Sequence, residues 1–266
     1  MASFHSRSNS FPSQSHPVVN DVEDQLCRLK TSQAASTSTT SICTNLASLK
    51  DLHDGINNLI QMPSIQQSLS HEQGGDWINE LLDGSLRLVD LCGFSRQVVC
   101  STKESVQELE SSIRRKADDI NAYVASRKKI NKIVNKCIKN LKSSNKNPAA
   151  VPEKDGDLKA IGTMLKETEA LDFSVLKSVL IVLSGAKESS KWSSLLSKFS
   201  QNSRVHSDTE QAEDLSPLNI HVLKKDINLK KLKATEMTIQ EIEEGLEALF
   251  RSLVKTRVSL LNALSH

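Results

Sequence analysis

The sequence predicts an all-α fold, an elongated helical bundle with long antiparallel helices and a disordered N-terminal tail. Apolar residues recur at three- and four-residue steps over most of the 266 residues, which is the period of an amphipathic helix. No stretch sustains the period of two that is typical of strands. The chain contains only nine glycines and six prolines, so we expect few turns and long elements.

Residues 1–17 are rich in serine and contain no acidic residue, which predicts a disordered tail. An arginine-poor plastid transit peptide is the alternative interpretation of this stretch. We expect a single helical-bundle domain over residues 18–266. A short helix opens it, and residues 31–41 form a loop or an exposed part of a longer helix. The next helix starts at Ile42 and ends at Pro63, because proline disfavours helix in the residue before it.

Linkers are predicted near 62–76, 143–157 and 200–217, where glycine, proline and polar residues cluster. After the first linker we expect Asp76 to cap a helix in which Gly93 marks either a break or a close crossing with another helix. The apolar period is then sustained over 98–142, with one gap near Lys116. A continuous helix of that length would measure about 68 Å, which suits an elongated bundle or a coiled-coil arm.

The last two helical regions follow the second and third linkers. The first of them has its apolar face on residues 158–183, and Trp192 and Phe199 continue that face. The final region extends from about Leu218 to Leu264, with a break expected near Asn228. Within it a heptad-like stripe steps by three and four residues, through Ile239, Ile242, Leu246, Leu249, Leu253, Thr256 and Leu260.

Three partners compete for this apolar stripe. Packing into the chain's own bundle is favoured, because soluble helices usually bury such stripes in their own core. A second protein chain is the next alternative. A membrane surface is favoured least, since glutamates at the start of the helix repel anionic lipid. We expect the acidic start of this helix to lie near a basic stretch of the long helix.

That basic stretch is the densest run of positive charge in the chain. It lacks acidic residues and contains Arg127, Lys128, Lys129, Lys132, Lys136, Lys139 and Lys142. It can be a solvated helix face, a face neutralised by the last helix, or a patch for RNA or acidic lipid. The scarcity of aromatics, 3% of residues, and the net charge of +2 disfavour nucleic acid.

No constellation of residues in the sequence indicates catalysis. The seven histidines and five cysteines lack metal-site spacing, and no phosphate-binding or nucleophile motif occurs. We therefore expect no enzymatic activity and no cofactor. The odd, scattered cysteines predict a reducing compartment, so we expect a cytoplasmic protein, with the plastid as the alternative.

One short motif points to a specific partner. The stretch "RSNSFP" at 7–12 fits the pattern that 14-3-3 proteins recognise once its second serine is phosphorylated. Arg7 lies three residues before Ser10, as basophilic kinases prefer, and Pro12 turns the peptide out of the binding groove. Short matches also arise by chance in serine-rich tails. The motif predicts that Ser10 is a regulatory phosphosite.

Three blocks resemble the BYPASS-related proteins, a plant family of unknown function: "FHSRSNSFPSQSHP", "LLDGSLRLVDLCGFSRQ" at 81–97 and "LEALFRSLVKTRVSLLN" at 246–262. The similarity extends over nearly the whole chain, in the expected order. The sequence departs from the family at Gln97, often an acid, and at His53, often a tyrosine. The resemblance implies an all-helical fold and a role in root and shoot development, with no established activity.

We therefore expect a non-enzymatic interaction or regulatory protein whose tail adjusts the choice of partner. The alternative is a membrane-surface or acidic-lipid adaptor that uses the basic face at 127–142.

Overall fold

A computed structural model describes residues 17–35, 39–72, 74–115, 120–143, 156–185, 215–219 and 228–265. These residues form seven α-helices and one short 3₁₀ helix, without a strand, which confirms the all-α prediction. The α-helices are α1 (Pro17–Ala35), α2 (Thr39–Ile60), α3 (Pro63–His71), α4 (Asp76–Arg114), α5 (Asn121–Ser143), α6 (Gly156–Ser184) and α7 (Leu229–Leu264), and the 3₁₀ helix is Ser216–Leu218.

The last helix, α7, lies at the centre of the bundle. It packs between α2 and α4, and α3 covers part of it. Its heptad-like stripe from Ile239 to Leu260 is buried along its whole length, so the expected packing into the chain's own core is confirmed. Asn228 caps the helix, since its side-chain oxygen accepts a hydrogen bond from the backbone N–H of Lys230 at 2.8 Å.

Helices α2, α4, α6 and α7 form the centre of the bundle, and we call them the four core helices. Helices α1 and α5 flank them. Helix α7 lies parallel to α2 and antiparallel to α4, and α6 packs against both α4 and α2. Helix α1 covers α2 and α6, whereas α5 lies at the edge, on α4 and α6. The pairs that define the directions along α7 are Ser252–Asp54 and Ser259–Asn57 for α2, and Glu243–Lys103 and Glu236–Gln107 for α4.

The first predicted linker is wrong over most of its length. Pro63 ends α2 as expected, but it is also the first residue of α3. Proline suits this position because its fixed φ is helical and its missing N–H would have no partner there. Ile65 and Leu69 bury the inner face of α3, so tertiary packing stabilises a helix that is only nine residues long.

The predicted continuous helix over 98–142 is also wrong. Helix α4 continues through Gly93 to Arg114, and α5 then turns back along it. Glycine in a helix costs only about 1 kcal/mol, and the buried residues on both sides of Gly93 outweigh that. The real break coincides with the gap near Lys116, since Ala117 is the only apolar residue of the sequence between Ile113 and Ile120 and offers little surface to bury.

Several predicted features lie outside the described residues: the tail at 1–16, most of the linkers at 143–157 and 200–217, and the apolar residues around Trp192.

The residue that follows α6 lies against the 3₁₀ helix. Gly185 follows α6 with φ +66°, and a Cβ there would lie 2.2 Å from the carbonyl oxygen of Leu218. Only glycine fits that left-handed, crowded position.

Within the described ranges, no helix is long and apolar enough to cross a membrane.

Candidate functional site

The four core helices each place polar side chains at one level of the bundle. His53 of α2 and Asp172 of α6 form the central pair, with 2.8 Å between Nε2 and Oδ2. Both are buried, at 4% and 0% exposure. Thr256 of α7 lies on the other side of the imidazole, with Oγ1 3.3 Å from Nδ1. We call His53, Asp172 and Thr256 the polar centre.

A small cavity adjoins the polar centre. Its volume is about 30 Å³, and Ser85 of α4 and Thr168 of α6 contribute hydroxyls to its lining. Asp172 Oδ1 is buried and has no hydrogen-bond partner among the described residues. A cavity of this size accommodates about two water molecules, and it is too small for an organic substrate. The geometry suits a structural polar network that joins three helices.

Two further ionisable groups lie close to this level. Burial, reinforced by the negative charge of Asp172, raises the pKa of the Cys92 thiol to about 12. That thiol stays protonated at neutral pH and is therefore a poor nucleophile. Burial also raises the pKa of Glu169, although Arg87 opposes the shift. A Cβ at Gly84 would lie 2.3 Å from the Glu169 carboxylate, so a side chain at this position would displace that carboxylate.

Sequence reasoning missed the polar centre. The signal was present, because His53 lies between Leu52 and Ile56 on the apolar face of α2, and Asp172 lies beside Leu171 in α6. A polar residue in an apolar register predicts a buried hydrogen bond. Periodicity alone could not show that these two residues, 119 positions apart, are partners.

The predicted basic surface needs one correction. Arg127 is fully buried, at 0% exposure, and its guanidinium donates hydrogen bonds to the carbonyl of Leu183 and the hydroxyl of Thr102. Burial lowers its pKa, and no carboxylate pairs with it among the described residues. Its partner Leu183 lies at the C-terminus of α6, where the helix dipole favours a cation. The other predicted members, Lys128, Lys132, Lys136 and Lys139, are exposed on α5.

The acidic start of α7 does not face this surface, contrary to expectation. Its glutamates pair with basic side chains of α4: Glu243 with Lys103 at 2.6 Å, and Glu247 with Arg96. The physical reason is the arrangement of the helices, because α4 lies beside α7 whereas α5 is at the outer edge. The last predicted site, Arg7, Ser10 and Pro12, lies outside the described residues.

Tyr123 joins α5 to the segment around the 3₁₀ helix. Its hydroxyl donates to the carbonyl of Pro217 at 2.9 Å, and burial raises its pKa to about 12 from the ordinary 10.0. It is the only tyrosine in the chain, so tyrosinate absorbance reports this residue alone. Because the folded state holds the neutral form, this residue's contribution to stability is complete below pH 10 and is lost between there and about pH 12.

We expect an alkaline titration to show tyrosinate only together with unfolding, when absorbance and circular dichroism are followed in parallel. The Tyr123→Phe variant should lack this part of the pH dependence and lose about 1 kcal/mol at neutral pH, the usual net contribution of one hydrogen bond. Ionisation near pH 10 with unchanged dichroism would contradict the buried position.

Together these features define an all-α bundle with a polar centre and one lysine-covered edge helix. The family model described as Protein BPS1 matches residues 45–263, more than four-fifths of the chain. The protein therefore belongs to this BYPASS1-related plant family, as the resemblance implied. No curated protein and no solved structure matches it significantly. Membership of the family suggests a regulatory role in plant development.

Proposed function

We propose that this protein is a non-enzymatic interaction protein in the control of root and shoot growth, and that phosphorylation of its tail selects a partner. Family membership supports the developmental part of this proposal. The small volume of the central cavity and the protonated thiol of Cys92 support a non-catalytic role for the polar centre. We also propose a cytoplasmic location, where kinases and partner proteins can reach the tail.

The observation that carries the proposal is the motif at 7–12, with Arg7, Ser10 and Pro12 at the spacing that 14-3-3 proteins read. A phosphate on Ser10 would add nearly two negative charges and three acceptor oxygens, which an arginine cluster on the partner can bind. The tail leads into α1 at Pro17, and α1 packs on α2 and α6. A partner held at Ser10 would therefore be brought close to the bundle.

We expect a peptide of residues 4–17 phosphorylated at Ser10 to bind 14-3-3 protein at least about 100-fold more tightly than its unphosphorylated twin, because phosphate-dependent hydrogen bonds dominate such recognition. Fluorescence anisotropy measures the two affinities. In plant extract, affinity capture with the full chain should lose 14-3-3 proteins on Ser10→Ala. The matched control is Ser13→Ala, which removes a serine from the same tail but leaves the motif unchanged.

Equal affinity of the two peptides would remove the tail as a regulated docking site. Equal capture by the wild type and the Ser10→Ala chain would do the same for the intact protein. Proteins captured equally by the wild type and the Ser10→Ala chain would then be partners of the helical surface.

A further inference from the structure

The charge of this protein is distributed unevenly over its helices. Helix α5 contains seven of the 34 lysines and arginines and none of the 32 acidic residues. The rest of the chain therefore has 27 basic residues against 32 acidic ones and is net acidic. A near-neutral total of +2 conceals one strongly positive edge.

The positive side chains of α5 lie on one face. We call Lys128, Lys129, Lys132, Lys136 and Lys139 the lysine face; all five are exposed. With 3.6 residues per turn they occupy a sector of about 100° over a length of about 17 Å. The opposite side of the helix buries Ile130, Val134 and Ile138 against the bundle. Since α5 packs on α4 and α6 at the edge, the lysine face points away from the protein.

The lysine face has no compensating acid in the part of the chain that the structure describes. Five lysines on other helices do have one, in the pairs Lys30–Glu167, Lys50–Asp54, Lys103–Glu243, Lys166–Glu80 and Lys233–Glu236. On α5 the neighbours at four-residue spacing, such as Lys132 and Lys136, have the same charge, which destabilises an isolated helix. An external anion would remove that repulsion.

The chemistry of the face favours a lipid surface over nucleic acid. Its cations are all lysines, because Arg127 points into the core, so the forked guanidinium that reads bases and paired phosphates is missing. The only aromatic residue of α5, Tyr123, is buried, so no ring is available to stack on a base. Ile133, at 40% exposure, borders the lysines and provides an apolar side chain for the interface of a bilayer.

We propose that the lysine face of α5 docks the protein onto the surface of an anionic lipid bilayer. The lysines attract the headgroups as hydrated point charges, and the acidic remainder of the protein turns away from the membrane. Binding is peripheral and reversible, because five charges and one isoleucine make a modest contact. The affinity for the bilayer falls steeply as the salt concentration rises, because salt ions screen the attraction between each exposed lysine and the anionic headgroups. This surface is distinct in sequence from the motif at 7–12, and its binding to lipid does not require a partner at Ser10.

The test is flotation of the full-length protein with vesicles of phosphatidylcholine, with or without about one-third phosphatidylserine. The wild type should float only with the anionic vesicles, and less so as salt rises. The variant K128Q/K132Q/K136Q/K139Q should bind roughly 1,000-fold more weakly, because each of the four lysines contributes about 1 kcal/mol near an anionic surface. Glutamine keeps the helix propensity, and circular dichroism verifies the fold.

The matched control is K30Q/K50Q/K103Q/K233Q, which removes the same charge from lysines that already have carboxylate partners. It should float like the wild type. Equal losses in both variants would overturn the proposal in favour of a general charge effect. So would failure of the wild type to bind anionic vesicles, or retention on an RNA oligomer that such vesicles do not displace.

Discussion

Deletion of residues 246–266 is expected to abolish cooperative folding. The deleted part of α7 buries five leucines between α2 and α4, at positions 246, 249, 253, 260 and 264. At about 1.5–3 kcal/mol for each buried side chain, they contribute on the order of 8–15 kcal/mol. That equals the whole stability of a typical domain, about 5–15 kcal/mol. The truncated chain should lose its thermal transition and most of its helical circular dichroism signal.

Two neighbouring leucines provide the matched point variants. Leu260 is 2% exposed and Leu261 is 41% exposed, on the same turn of the same helix. Leu260→Ala should cost about 3 kcal/mol in denaturant unfolding, from lost burial and the cavity left behind. Leu261→Ala should change stability by less than about 0.5 kcal/mol. If the truncated protein stayed folded, or if the two point variants were equally destabilised, α7 would not be the centre of the bundle.

His53→Leu is expected to destabilise the protein by about 3–5 kcal/mol. Asp172 is buried, and His53 is the only described residue that hydrogen-bonds its carboxylate. Removing the imidazole leaves a buried carboxylate without a partner, which costs far more than the pair contributes when it is intact. Chemical denaturation with circular dichroism measures the change.

The double variant His53→Leu/Asp172→Leu should recover most of the loss, because it replaces both polar groups with apolar ones and leaves no orphan. The cavity of about 30 Å³ beside Asp172 gives the larger side chain room. The coupling between the two positions should exceed about 1 kcal/mol in a double-mutant cycle. Additive effects would mean that the pair does not interact in solution. Ser70→Ala, on the exposed side of α3, serves as the polar control remote from the pair.

The prediction from sequence succeeded where the information is local. The stripe on α7 and the apolar face of α2 each follow from the spacing of residues within one helix. Even the end of α4 had its local signal, the gap near Lys116, although the sequence analysis treated that gap as part of one continuous helix. The short helix α3 was missed, because nine residues have too weak a period to compete with the turn signals around Pro63.

Arg127 shows how one residue can be assigned to the wrong side of a helix. It stands in a basic run with Lys128 and Lys129, which suggests a charged surface. Its register with Tyr123, Ile130 and Val134 instead matches the buried face of α5, at steps of four, three and four. The charge of the Arg127 side chain favours exposure, whereas its register in α5 favours burial. The carbonyl of Leu183, brought near by tertiary packing, decided the outcome.

The sequence by itself determined most of the long helical segments and their apolar faces, because both depend on residues within one or two turns. Only the tertiary structure decided which helices meet. It placed α7 between α2 and α4, paired the glutamates of α7 with α4 rather than α5, and brought His53 to Asp172. The physical reason is that periodicity defines the direction of a buried face but contains no information about the neighbour that covers it. That choice depends on how all the faces pack together.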